Sequence, residues 1–260
     1  MKLSRCIAAE LKRGVHPAAL LLPILVYLAL LYLALHIGGA WTCFPMKGSE
    51  ALGFFPNPYF MLLPGADLVP LAPLAYAMVF PAVAVFSLGK LMPASLGGPE
   101  CTVSAARGGD YAILLAARCV AAIVYVLGPF ALFCGLVACG MPWLFEVEMS
   151  VSQWMELAYR GALMLVVGAS YIVVVVSVIS AFGATDVTLG VLLFVAYLSQ
   201  VVSEFSGMLI PGHVSLFMVT CGSIALDASR VALIVGFSVG SALVAACACV
   251  LLWRRVLALR

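Results

Sequence analysis

Few residues in this chain could do chemistry, and most of those lie in apolar surroundings. Gly236-Phe237-Ser238-Val239-Gly240 has the G-x-S-x-G spacing of a nucleophile elbow. That motif needs a strand-to-helix turn, whereas here it sits in the middle of a long apolar run. The spacing is better read as a small-residue face on which Gly236, Gly240 and Ser241 let another helix come close. His213 is the nearest candidate base, but the sequence places it in a loop and pairs no acid with it. His16, His36 and His213 each lie near the end of an apolar run, too scattered for a metal centre, and no metal site is expected. Glu204 is different, because an ionisable group inside an apolar run is costly and faces a cavity or a partner. Gln200 precedes it by one helical turn, and Ser199 and Ser203 share nearby faces. This polar stripe reads either as a translocation lining or subunit seam, or as a carboxylate snorkelling near the outer surface. Glu100, Arg107 and Asp110 form a third group, bracketed by Gly97-Gly98-Pro99 and Gly108-Gly109. They read as a solvated loop or as a docking element for a cytoplasmic partner.

The solvent around these residues decides what they can do. Only 9% of the 260 residues are charged and 65% are apolar, with a mean hydropathy of +1.21. A water-soluble domain carries about a quarter charged residues. Residues 14–46, 68–89, 119–145, 161–185, 187–203 and 231–253 hold no Asp, Glu, Lys or Arg. A helix needs about 20 apolar residues to cross the hydrocarbon core. The sequence therefore predicts an all-α membrane protein, one transmembrane domain over 1–260, with spans near 18–37, 68–89, 113–139, 161–182, 187–210 and 231–253. The first apolar run is long and lacks a small-residue cleavage site, so it reads as a retained span. Residues 213–226 are apolar but too short to cross, which predicts a re-entrant or interfacial helix.

Charge fixes the sides. With six spans and both termini cytoplasmic, ten of the 13 Lys and Arg residues lie inside, and only Lys47, Arg160 and Arg230 lie outside. A seventh span over 213–226 would carry Arg254, Arg255 and Arg260 to the exterior. Residues 1–14 alternate Leu3, Ile7 and Leu11 with Lys2, Arg5, Lys12 and Arg13, the pattern of a helix lying flat in the headgroup layer. Among the nine cysteines, Cys43 and Cys221 share the outer side, which allows a disulfide between them. Most of the others behave as small hydrophobes. Cys247 and Cys249, two apart on a helix, point to different sides.

No G-x-x-x-x-G-K-[ST] phosphate loop occurs, so the chain cannot use ATP by that route. No nucleic-acid partner is indicated by a net charge of +2. The basic start ending Glu10-Leu11-Lys12-Arg13, the loop of Glu100 and Arg107 leading into Asp110-Tyr-Ala-Ile-Leu-Leu-Ala-Ala-Arg118, and the short apolar segment before the last span together resemble the permease subunit of an ABC-2 type transporter. The resemblance covers the whole chain in topology. It implies a bacterial cell-membrane exporter of hydrophobic peptides, lipids or drugs, of the kind that includes bacteriocin self-protection systems. It further implies two copies of a separate ATPase holding ATP and Mg, a second permease, identical or homologous, and lipid around both. Glu10, Lys12, Arg13, Glu100, Arg107 and Asp110 would then couple to the ATPase. The chain itself would be no enzyme and would bind no cofactor. A proton-coupled transporter using Glu204 and, more remotely, an intramembrane enzyme are the competing classes. In intact cells, an impermeant thiol reagent is expected to label Lys47→Cys and leave Arg254→Cys untouched; labelling of Arg254→Cys from outside would overturn the topology.

Overall fold

The computed structural model describes residues 3–13, 24–26, 61–62, 68–69, 74–92, 110–144, 150–206, 211–214 and 226–258, with single positions at 29, 216 and 220. The described residues are helical apart from turns and one short antiparallel pairing. Three helical stretches are long and apolar enough to cross a membrane: Tyr111–Leu136, Trp154–Phe182 and Ala228–Arg255, of 26, 29 and 28 residues. At 1.5 Å per residue each spans about 40 Å, more than the roughly 30 Å of hydrocarbon. The chain is a membrane protein. The expected first span, 18–37, lies largely outside the described residues.

The helix ends follow local chemistry. The N-terminal helix α1 runs Leu3–Arg13. Strands β1 (Met61–Leu62) and β2 (Leu68–Val69) pair antiparallel, Met61 with Val69 and Leu62 with Leu68. This corrects the expected start of the second span at 68. Helix α2 begins only at Leu74 and runs to Leu91. Pro70 and Pro73 explain the delay, since each lacks an N–H and disfavours helix in the residue before it.

Asp110 caps α3 (Tyr111–Ala122), its Oδ1 accepting the Ala112 N–H at 3.0 Å. A π-turn, Ile123–Leu127, joins α3 to α4 (Gly128–Leu144), with the Gly128 N–H bonded five residues back to the Ile123 carbonyl. Pro129 accounts for this wide turn. Its ring would clash with the Tyr125 carbonyl in a regular helix and can offer it no hydrogen.

Helix α5 runs Val151–Phe182 and starts ten residues before the span expected at 161. The expected loop over 141–160 is thus helical at both ends, over 141–144 and 151–160. The early start is supported by Glu156 and Arg160, one turn apart and bonded at 2.7 Å. Gly183 ends α5 at φ 86°, a left-handed conformation that glycine adopts without strain, and its N–H bonds the Ile179 carbonyl. Thr185 then caps α6 (Asp186–Ser206) through the Thr188 N–H. Asp227 caps α7 (Ala228–Ala258) through the Arg230 N–H at 2.8 Å.

α5 is the hub, with 61% of its span buried against 17% for α7. α7 lies along it, and Phe80 of α2 and Phe130 of α4 meet beside it with ring centroids 4.5 Å apart. Tyr111 stacks on Trp253 at 4.5 Å, so α3 begins at the end of the bundle where α7 finishes. Gly89, near the end of α2, lies against Leu189, near the start of α6. A side chain at Gly89 would place Cβ 3.1 Å from Leu189 Cδ1, whereas among the described residues nothing lies within 4 Å of one built at Gly236 or Gly240. Gly89→Val is therefore expected to lower stability by about 1–3 kcal/mol through overpacking. Gly236→Ala and Gly240→Ala should stay within about 0.5 kcal/mol. Thermal unfolding in lipid nanodiscs distinguishes them, and equal losses at all three glycines would contradict the packing described.

Candidate functional site

Polar chemistry concentrates at the end of the bundle where Tyr111 meets Trp253. Helix α1 packs along α3 there. An amphipathic helix on a bundle seats whichever face satisfies the most costly group. The sequence pattern pointed to Leu3, Ile7 and Leu11, yet the most buried side chain is Cys6 at 4%, and Leu3 stays 44% exposed. The reason is Glu10. Its carboxylate lies in the last turn of α1, where the helix dipole is negative and disfavours it. Arg118, buried in α3, sets its Nε 4.0 Å from Glu10 Oε1, and the two side chains are only 6% and 12% exposed. Little water reaches the pair, so pairing the charges outweighs seating one leucine. A second bond fixes the same helix end: Tyr125 Oη, in the π-turn, donates to the Leu11 carbonyl. That carbonyl belongs to the last turn of α1, which has no partner within its own helix.

Around this seat the cations are exposed. Arg5, Lys12, Lys90, Arg254 and Arg255 all face outward. Arg254 and Arg255 follow Trp253 directly, so they lie at the Tyr111 end. Arg13 closes α1.

A second polar cluster lies deep in the bundle. His213, expected in a loop, sits between the Tyr171 and Phe237 rings, with centroids 5.2 and 5.3 Å away. Its Nε2 is 3.1 Å from Ser241 Oγ. The Ser241 hydroxyl also lies 3.0 Å from the Ser238 carbonyl, so it has two acceptors within reach, and which atom donates in the His213 contact depends on the imidazole tautomer. Ser241 lies 12 residues before Trp253, about 18 Å along the helix, which puts His213 near mid-depth. The neighbouring Val214, Leu216 and Thr220 are buried as well. His213, Val214, Leu216 and Thr220 of the short apolar segment after Pro211 thus pack within the bundle.

The remaining expected residues separate clearly. Asp110 is exposed and its chemistry is that of a helix cap, a signal legible as an Asp just before an apolar run. Ser199 and Gln200 are half-buried on α6, with Ser199 bonded to the Ala196 carbonyl, and the backbone of Ser203 and Glu204 continues the same helix. Glu100, Arg107, Cys43 and Cys221 lie outside the described residues. Gly236 and Gly240 do not pack another described helix of this chain. Cys249 is buried and Cys247 exposed, as two-residue spacing on a helix requires. Sequence reasoning missed the partner of Arg118. The signal was present: a buried arginine demands a carboxylate, and Glu10 is the one acid in α1.

Outside the membrane-crossing stretch, the Arg230 N–H and then the Ser229 hydroxyl hold the Asp227 carboxyl below its ordinary value. A depressed carboxylate stabilises above its unfolded pKa, and this cap is lost as pH falls through the folded one. Among the described residues no group of His, Cys, Asp and Glu could hold a metal ion. No protein-family model, curated protein or solved structure matches the chain.

Removing the Glu10 carboxylate from Arg118 by Glu10→Gln is expected to cost about 1–3 kcal/mol. Replacing both partners, Glu10→Leu with Arg118→Met, should recover most of that loss. A double-mutant cycle on thermal unfolding measures the coupling; additive losses would mean that the pair contributes nothing.

Proposed function

We propose that this chain is the membrane subunit of an ATP-driven exporter, with six spans, both termini in the cytoplasm, and the ATPase on separate polypeptides. One observation carries the reading: an amphipathic basic helix, α1, packs along α3 and is tied to it at Arg118 and Tyr125, and α3 begins at the end of the bundle where the exposed Arg254 and Arg255 lie. A helix held there by Glu10 and Arg118 offers a firm lever to a soluble partner. The positive-inside bias puts that end in the cytoplasm, where ATP is. Glu100 and Arg107 fall in sequence between α2 and α3. Sparse fixed charge along the spans suits a hydrophobic or amphipathic substrate drawn from the bilayer and moved by alternating access. The permease works in pairs, and the polar stripe of Ser199, Gln200, Ser203 and Glu204 lines the pathway or the seam between subunits.

Affinity purification of the chain from its own membrane is expected to bring an ATPase with it. Glu100→Ala with Arg107→Ala should lower ATP-driven export of an amphipathic peptide in inverted vesicles by about tenfold, one coupling contact's worth of free energy. Transport by the purified chain alone, driven by a pH gradient without nucleotide, would sink this reading.

A further inference from the structure

Around His213 the protein leaves two deeply buried hydroxyls unsatisfied. Tyr171 of α5 is 3% exposed, and its Oη has no hydrogen-bond partner among the described residues. Ser238 of α7 is fully buried, and its Oγ has none either. The two belong to one place. The Tyr171 ring lies 5.2 Å from the His213 ring, and α7 lies along α5. Ile234, Phe237, Ser238 and Ser241 follow the i, i+3, i+4, i+7 spacing of a single helix face. Ser238 therefore shares the face on which Phe237 meets the His213 ring and Ser241 bonds its Nε2.

A hydroxyl buried without a partner is costly. A serine in a helix escapes the cost by turning to its own backbone, as Ser170 and Ser199 do with the carbonyl three residues back. A tyrosine has no such way out, because its hydroxyl stands at the far end of a rigid ring. Tyr171 needs a partner from outside its own helix, and Ser238 needs one at the same level. Charge narrows what that partner is. The nearest charged residue on α5 is Arg160, eleven residues and about 16 Å from Tyr171. On α7 it is Arg230, eight residues and about 12 Å from Ser238. An ion would lack a counter-charge from either helix, whereas hydroxyls and an imidazole suit a small neutral molecule that both donates and accepts.

We propose that Tyr171, Ser238 and the His213–Ser241 pair hold a water molecule inside the bundle, bonded to Tyr171 Oη and Ser238 Oγ. Buried waters take up polar groups of this kind and make about three hydrogen bonds each; Ser241, one turn beyond Ser238, adds a third oxygen to the group. The seat of His213 is then part protein and part solvent, at a depth where the bilayer supplies no water. This site depends on the packing of α5, α7 and the segment after Pro211, and it stands whether or not the chain is an exporter.

X-ray radiolysis of the full chain in lipid nanodiscs, prepared in water enriched in heavy oxygen, tests this without any variant. Radicals formed in bulk water do not reach rings inside the bilayer, whereas a water held in the protein is ionised where it sits and oxidises the rings beside it. Corrected for the intrinsic reactivity of each ring, Tyr171 is expected to take up heavy oxygen several-fold above Phe80 and Phe130, the buried aromatic pair of α2 and α4. In Tyr171→Phe with Ser238→Ala, labelling of Phe237 should fall several-fold from its wild-type level. Reversible unfolding gives an independent sign, because Tyr171→Phe keeps the ring and removes only the hydroxyl. With the water bonded, the folding equilibrium constant drops about fivefold. A hydroxyl that bonds nothing is relieved by the same change, and the constant stays or rises. Tyr171 labelled no more than Phe80 and Phe130, or Tyr171→Phe at least as stable as the wild type, would overturn the proposal; should either variant fail to fold, the wild-type labelling decides.

Discussion

Hydrocarbon offers a peptide group nothing to bond with, and almost every feature of this chain follows from that. Each N–H and C=O inside the bilayer has to find its partner in the same segment, so the spans are helices and their ends are handled with care. Asp110, Thr185 and Asp227 each begin a helix by accepting a backbone N–H from its first turn. Gly183 ends α5 by returning its N–H to Ile179. Where the sequence breaks the rule, at Pro129, the helix widens instead of stopping. Interrupting the helix would leave several groups without partners, whereas one wide turn displaces a single bond.

The same solvent alters how helices hold together. Lipid tails are as apolar as leucine, so burial alone gives helices little reason to associate. Shape and polar contact must supply the rest. The core of α5 is filled by Ile172, Val175, Val176 and Ile179, all 0% exposed, whose stiff β-branched side chains lose little freedom on packing. Aromatic contacts join distant segments: Phe80 with Phe130, Tyr111 with Trp253, and, last, His213 between Tyr171 and Phe237. The last explains how a segment too short to cross can still be part of the bundle. His213 brings a polar ring to mid-depth, where it hydrogen-bonds Ser241.

The span positions were legible in the sequence wherever charge-free runs ended at a charge or a Gly-Pro cluster. Asp186 and Arg254 mark the limits of α6 and α7 closely. The errors fell where a run was bounded by something other than charge. Pro70 and Pro73 carry no charge, so the run from 68 looked continuous although its first residues pair as strand. Glu156 and Arg160 looked like loop, because each was judged alone; one helical turn apart, they neutralise each other and let α5 continue through them. Site residues were harder to read than spans. An Arg in a span announces that it needs a partner but not where the partner is, since Glu10 and Arg118 are separated by more than a hundred positions. Asp110, which the resemblance makes a coupling residue, also caps α3.

The pairing of Glu10 with Arg118 has a consequence for how motion at the membrane surface reaches the interior. A helix held to a bundle by apolar contact alone can slide, because one leucine replaces another at little cost. A helix held by a nearly dry ion pair cannot, because moving it by one turn parts two charges in a medium that screens them poorly. α1 therefore has a defined position or none, and a force applied to it is delivered to α3 at Arg118 and not dissipated along the seam. Immediately beyond that point the helix contains its one irregular turn. The charge pair and the π-turn sit side by side in sequence, within about ten residues of each other.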